Sequence, residues 1–197
     1  MSEIRNLVVY MTDGVRWDSH PDSVSTRGLT FRTIASSLHT PTAIASMLTG
    51  LYLPSHGVRG FTDQLPSDVQ TVLDWLPNDG ISDSPGNFNH AIYGHLLGRY
   101  EQQPLTDLEE PFSWFMRDAG GHAPYNGFDE RLQTEETVRS YLQKHGGDED
   151  RMRRDYENAV DSSVDRFERF VLDPLEARGI LEETLVVFAS DHGQMLG

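Results

Sequence analysis

The chain is 197 residues long, enough for one domain with a real core, and its formal charge is −15, with Lys144 the only lysine beside fifteen arginines. An acidic surface of this kind argues against nucleic acid, whose affinity comes mainly from cations on phosphates, and the lack of cysteine excludes disulfides, thiolate nucleophiles and sulfur-ligated metals. No stretch reaches the roughly 18 apolar residues of a membrane span and no signal-peptide core opens the chain, so a cytoplasmic protein is expected, its hydrated carboxylate shell suited to a halophilic, salt-rich cytoplasm.

Residues 6–12 (Asn-Leu-Val-Val-Tyr-Met-Thr) read as a buried strand that ends at Asp13-Gly14. Arg16 to Arg32 is polar and turn-rich and reads as a loop. From Thr40 a helix is expected to run to Gly50, with Thr40 as its N-cap and Pro41 in its first turn. Its hydroxyl would then sit at the positive end of the helix dipole. Leu51 to Pro66 is expected to be loop, carrying Ser55-His56-Gly57. Ser67 can cap a short helix with Val69, Val72, Leu73 and Leu76 on one face, stopping at Pro77 and Gly80. Asn89 to Gly98, which contains His95, suits a strand and a tight turn. Phe112 to Met116 suits an inner strand, followed by an irregular loop with His122-Ala-Pro124-Tyr125. Thr134 can cap a helix to about Lys144. Asp150 to Arg178 carries Tyr156, Val160, Val164, Phe167, Val171 and Leu175 at helical spacing, with a break near Pro174 and a stop at Gly179. The run Thr184-Leu-Val-Val-Phe-Ala-Ser is the last strand, and Asp191-His192-Gly follows it.

Strands alternating with helices predict an α/β fold, a mostly parallel sheet sandwiched between helices. Such sheets bind ligands beyond the carboxyl ends of their strands. Asp13, Asp191 and His192 can therefore converge although nearly the whole chain separates them. Two carboxylates, an imidazole and the Thr40 hydroxyl are what attack on a tetrahedral anionic ester needs. Oxygen and nitrogen ligands suit a divalent cation, which lowers the pKa of a hydroxyl and neutralises ester oxygens. Loop histidines can bind the anion or protonate the leaving group.

The strand ending in Asp13, Thr40 ten residues before Gly50, and the ending Ser-Asp191-His192-Gly-x-x-Leu-Gly197 resemble the sulfatase branch of the alkaline phosphatase superfamily. The likeness runs from residue 4 to 197 and covers the N-terminal part of that family's catalytic domain. It implies one divalent ion (Mn²⁺ or Mg²⁺, with Ca²⁺ as a further option) on Asp13, Asp191, His192 and Thr40. It also implies Thr40 as nucleophile, His122 as a catalytic histidine contacting the substrate, and His95 and His56 as substrate-binding histidines. The chain departs from the formylglycine sulfatases in having Thr40, Thr42 and Ile44 where they have cysteine or serine, proline and arginine, so no formylglycine is expected. A threonine nucleophile is similar to that of phosphodiesterases, phosphonate hydrolases and lipoteichoic-acid synthases of the superfamily. Gly14 replaces the second aspartate of the calcium-dependent members, and the displaced Pro41 leaves Thr42 as a rival nucleophile.

The expected function is hydrolysis or transfer of a small anionic sulfate or phosphate ester through a covalent Thr40 intermediate. A second expectation comes from the stop at Gly197, directly after the last strand. It is a truncated, catalytically silent domain that binds a metal or a partner and self-associates through an open sheet edge.

Overall fold

Four β-prone runs become one sheet in the computed structural model, which describes residues 3–83, 91–125 and 137–196. The strands are β1 (Asn6–Thr12), β2 (Asn78–Asp83), β3 (Phe112–Asp118) and β4 (Thr184–Ser190). Their order is β2-β3-β1-β4, and every neighbouring pair is parallel. The register sets Thr12 opposite both Asp118 and Ser190. Loops leaving β1, β3 and β4 therefore start at one level on one edge of the sheet, the edge where open α/β sheets place ligands.

The helices are α1 (Asp22–Ser25), α2 (Thr40–Thr49), α3 (Leu53–His56), α4 (Val138–His145), α5 (Glu149–Phe167) and α6 (Asp173–Ala177). Side chains alternate along each strand, so each strand feeds two cores. Val9, Met11, Ile81 and Phe115 pack with Ile44 and Leu48 of α2. Val8, Tyr10, Trp114 and Met116 point the other way, onto Phe167, Val171 and Leu175 at the end of α5 and beyond. All seven residues of β3 are buried, as expected of an inner parallel strand covered on both faces. Each fully buried large side chain contributes about 2–3 kcal/mol. Tyr10, at 0% exposed, also finds a partner for its hydroxyl in the Ser163 carbonyl at 2.8 Å.

The expected architecture, β1, the inner strand, the last strand and the long helix are present. The break in that helix is a π-helical turn, Glu168–Leu172, after which Pro174 lies in the first turn of α6, where its missing N–H does no harm. Other expectations are corrected. Residues 67–76 hold only a 3-10 turn, Val72–Trp75, because Thr71 rather than Ser67 caps it, in a reciprocal capping box with Asp74. Asn78–Asp83 is a strand, although it has Ile81 as its single large apolar residue. Gly80 lies against Trp114, where an added Cβ would stand 3.1 Å from the indole, so contact with a neighbouring strand decides the conformation. Ala91–Leu96 is a π-helical turn rather than a strand, and residues 84–90 lie outside the described residues. Thr137 caps α4, and Thr134 lies outside the described residues. Asp22–Ser25 and Leu53–His56, expected as loop, each make one helical turn.

Candidate functional site

β1 leads into Asp13, β4 leads into Asp191-His192, and α2 begins with Thr40. The structure brings all four together. One ligand atom from each of Asp13, Asp191 and His192 lies within 4.8 Å of the other two. His192 Nε2 is 3.7 Å from Asp13 Oδ1 and 3.4 Å from Asp191 Oδ2. The Thr40 hydroxyl donates to Asp13 Oδ2 at 3.3 Å and lies 3.2 Å from His192 Nε2. His39, not Thr40, occupies the cap position of α2. That one-residue difference releases the Thr40 hydroxyl from capping and aims it at the two strand ends.

Hydrogen bonding divides each carboxylate into an anchored oxygen and an open one. Asp191 Oδ1 accepts from the Gly14 amide at 3.0 Å and from the His192 amide at 2.9 Å. Asp13 Oδ2 accepts from Arg117 at 2.8 Å as well as from Thr40. Asp13 Oδ1 and Asp191 Oδ2 are buried without a hydrogen-bond partner. Buried polar atoms are almost always satisfied, so two orphaned carboxylate oxygens facing one imidazole nitrogen fit a cation between them. Ligand atoms about 2.1 Å from one small dication stand roughly 3 Å apart when adjacent, close to the separations found here. The His192 ring agrees. Its Nδ1 lies 2.8 Å from the Gly193 carbonyl, which assigns the proton to Nδ1 and leaves Nε2 as a ligand atom. Burial first, and then the neighbouring Asp13 carboxylate, push the Asp191 carboxyl up to about 6.

Two glycines bring a third loop to this edge. Gly14 has φ +75, and a Cβ there would meet the Gly121 carbonyl at 3.1 Å. At Gly121 a Cβ would come to 2.4 Å from the Asp13 carbonyl oxygen. An aspartate at position 14 would be strained by the positive φ and would crowd the Gly121 carbonyl. Beside Gly121, half-buried His122 puts its Nδ1 2.6 Å from the Ala123 carbonyl, so Nε2 is the nitrogen available to a ligand. Tyr156 of α5 ties the edge together, donating to the Gly14 carbonyl at 3.1 Å and accepting from the Arg16 amide at 2.7 Å. A cleft of about 710 Å³ adjoins His192 and is lined by Arg16, Trp17, Arg32, Leu38 and Met195.

The remaining candidates fall elsewhere. Thr42, the rival nucleophile, is buried and donates to the Val58 carbonyl at 3.2 Å. His56 is 0% exposed, accepts from the Val58 amide at Nδ1 and sits 3.0 Å from the Ser46 hydroxyl at Nε2. Both its nitrogens are engaged inside the fold and burial holds its pKa below the usual value. The structure thus corrects its assignment to substrate: it joins α2 to the turn after α3. His95 lies exposed on the Ala91–Leu96 turn, outside the cluster. Sequence reasoning missed Arg117. A charged pair, Arg117-Asp118, ends the apolar run of β3 just as Asp13 ends that of β1, and that parallel was the available signal.

The chain resembles known proteins at three levels. A family model described as Sulfatase matches residues 96–197. The chain is 32% identical over 201 residues to a protein of Haloferax volcanii named low-salt glycan biosynthesis sulfotransferase Agl7. That match takes in 100% of this chain and 48% of the relative, so the chain spans about half the relative's length. A solved structure of a 2-O GAG sulfatase superposes with TM-score 0.66 at 14% identity, over 98% of this chain and 58% of that one. The likeness to the solved structure is one of fold alone.

Proposed function

Since the chain belongs to the sulfatase family, we propose that it cleaves a sulfate ester through a covalent Thr40 intermediate at a divalent cation held by Asp13, Asp191 and His192. The observation that carries this reading is the Thr40 hydroxyl, 3.3 Å from Asp13 Oδ2 and 3.2 Å from His192 Nε2, beside two orphaned carboxylate oxygens. A bound Mn²⁺ or Mg²⁺ supplies Lewis acidity, lowering the hydroxyl pKa and neutralising charge on the ester oxygens. Thr40 passes its proton to Asp13 Oδ2, the oxygen to which its hydroxyl donates, and its Oγ1 bonds to sulfur as the bond to the leaving oxygen breaks. The start of α2 presents the positive end of a ten-residue helix to the charge that develops. His122, entering as the imidazolium with its Nδ1–H on the Ala123 carbonyl, gives the Nε2 proton to the leaving oxygen. A water molecule then gives a proton to the same His122 nitrogen and attacks sulfur, the S–Oγ1 bond breaks, and Asp13 Oδ2 returns its proton to Thr40.

Sulfate rather than phosphate is preferred because the family and the Haloferax volcanii relative both carry sulfur chemistry in their names. The sulfotransferase likeness favours a second route for the same intermediate, in which a sugar hydroxyl replaces water as acceptor. The Trp17-lined cleft beside His192 suits the organic part of such a substrate, and His95 is a further candidate contact for it. No described helix is long and apolar enough to cross a membrane, and the acid-rich composition suits the salt-rich setting proposed for it. The outer edge of β4, at one end of the described sheet, is where a second copy would pair.

The test is hydrolysis of 4-nitrophenyl sulfate beside bis(4-nitrophenyl) phosphate in molar KCl with Mn²⁺, with and without chelator. Chelator-sensitive turnover of the sulfate ester is expected. Faster phosphate diester turnover would reassign the ester class, and a chain that binds Mn²⁺ yet turns over neither ester would point to a silent domain.

A further inference from the structure

Asp83 and Arg117 take no part in the chemistry proposed above, yet both are buried beside it. Register explains the placement: Asp83 of β2 is the in-register partner of Arg117 of β3. Asp13 prolongs β1 on the other side of β3, its amide on the Asp118 carbonyl at 2.7 Å. The strand order therefore lays a row of charges across the sheet edge: Asp83, Arg117, Asp13 and Asp191. Arg117 donates from Nη2 to Asp13 Oδ2 at 2.8 Å, and its Nη1 lies 3.8 Å from Asp83 Oδ1. The three side chains are 4%, 6% and 1% exposed in the order Asp83, Arg117, Asp13, so solvent screens them little.

Two effects on a bound cation follow. Arg117 holds Asp13 by Oδ2 and turns Oδ1 towards His192, so Asp13 can offer a cation one oxygen rather than two. Its positive charge also stands one carboxylate away from the cation and opposes it, while Asp83 offsets part of that charge. We propose that Asp83 and Arg117 form a positioning pair that keeps Asp13 to one-oxygen ligation and holds the affinity for a divalent cation down, leaving Thr40 free to enter. This rests on the reading of Asp13, Asp191 and His192 as ligands.

The experiment is calorimetric titration of Mn²⁺ into the chelator-stripped full chain in molar KCl, comparing wild type with Arg117→Met and Asp83→Asn. Arg117→Met removes the opposing charge and frees Oδ2, so Mn²⁺ binds at least tenfold more tightly. Asp83→Asn uncovers the charge of Arg117, so Mn²⁺ binds at least threefold more weakly. A purely structural role would loosen binding in both variants. Equal or weaker binding by folded Arg117→Met, or equal or tighter binding by Asp83→Asn, overturns the inference. Should Arg117→Met fail to fold, Asp83→Asn alone decides. If wild type binds no Mn²⁺, the metal reading falls and this inference with it, whereas binding that neither variant moves overturns this inference only.

Discussion

Buried aspartates at the carboxyl edge of the sheet face both ways, and Asp118, on the α5 side, is satisfied where Asp13 and Asp191 are not. Asp118 points towards α5, where Oδ2 meets Arg166 Nε at 2.5 Å and Oδ1 accepts from Arg166 Nη2 at 3.0 Å and from the Gly120 amide at 2.8 Å. Asp13 and Asp191 face Thr40, each with one oxygen anchored and the other orphaned. A buried carboxylate with both oxygens hydrogen-bonded holds a fold together. One left half-answered next to another carboxylate holds the place of a ligand. The contrast arises because consecutive residues of β3 point to opposite faces, so Arg117 goes to the site and Asp118 to the support.

The sharpest break of this contrast is Thr40→Ala. We expect turnover to fall by roughly 10⁴ or more, on the order of 5 kcal/mol of transition-state stabilisation, with Mn²⁺ still raising the melting temperature. Survival of most of the activity would move the nucleophile away from Thr40.

Asp118→Asn comes next. It leaves Arg166 as a buried charge without its carboxylate and should cost about 3–4 kcal/mol in urea unfolding, with the Mn²⁺-induced rise in melting temperature unchanged. A variant as stable as wild type would deny the pair its structural role.

Asp191→Asn should act in the opposite direction. With the folded carboxyl at about 6 and the unfolded one near 3.9, the folded chain holds its proton between those values while the unfolded chain has released it. The stability this adds is complete below about pH 4 and is lost as pH rises through about 6. Chelator-stripped wild type should therefore weaken across that window by on the order of 3 kcal/mol, and Asp191→Asn should remove that slope. Above pH 6 the stripped variant should be the more stable chain, and Mn²⁺ should stabilise wild type only. A slope that persists in the variant would place the titrating group elsewhere.

The smallest expected effect separates the two threonines of α2. Thr42→Val loses one buried hydrogen bond to Val58 and should cost about 1 kcal/mol in stability with kcat unchanged. A large loss of kcat would return Thr42 to the list of nucleophiles.

Local chemistry made much of this molecule legible in advance. The β-branched runs at Asn6–Thr12 and Thr184–Ser190, the apolar periodicity through Leu175 and the polar residues that stop each strand announced a parallel sheet with Asp13, Asp191 and His192 on one edge. Those readings held because each depends on a residue's own neighbours along the chain, through β propensity, helical spacing or turn chemistry. What only the tertiary structure decided depends on contacts between distant segments. Asn78–Asp83 is a strand because Gly80 lets Trp114 close on it. Gly14 is required because Gly121 presses on it. His56 serves the fold because Ser46 and Val58 meet its two nitrogens. Arg117 reaches Asp13 because the register of β3 against β1 brings residues far apart in the chain to within 2.8 Å. No window of neighbouring residues contains both members of such a pair, so its electrostatics exist only once the sheet has formed.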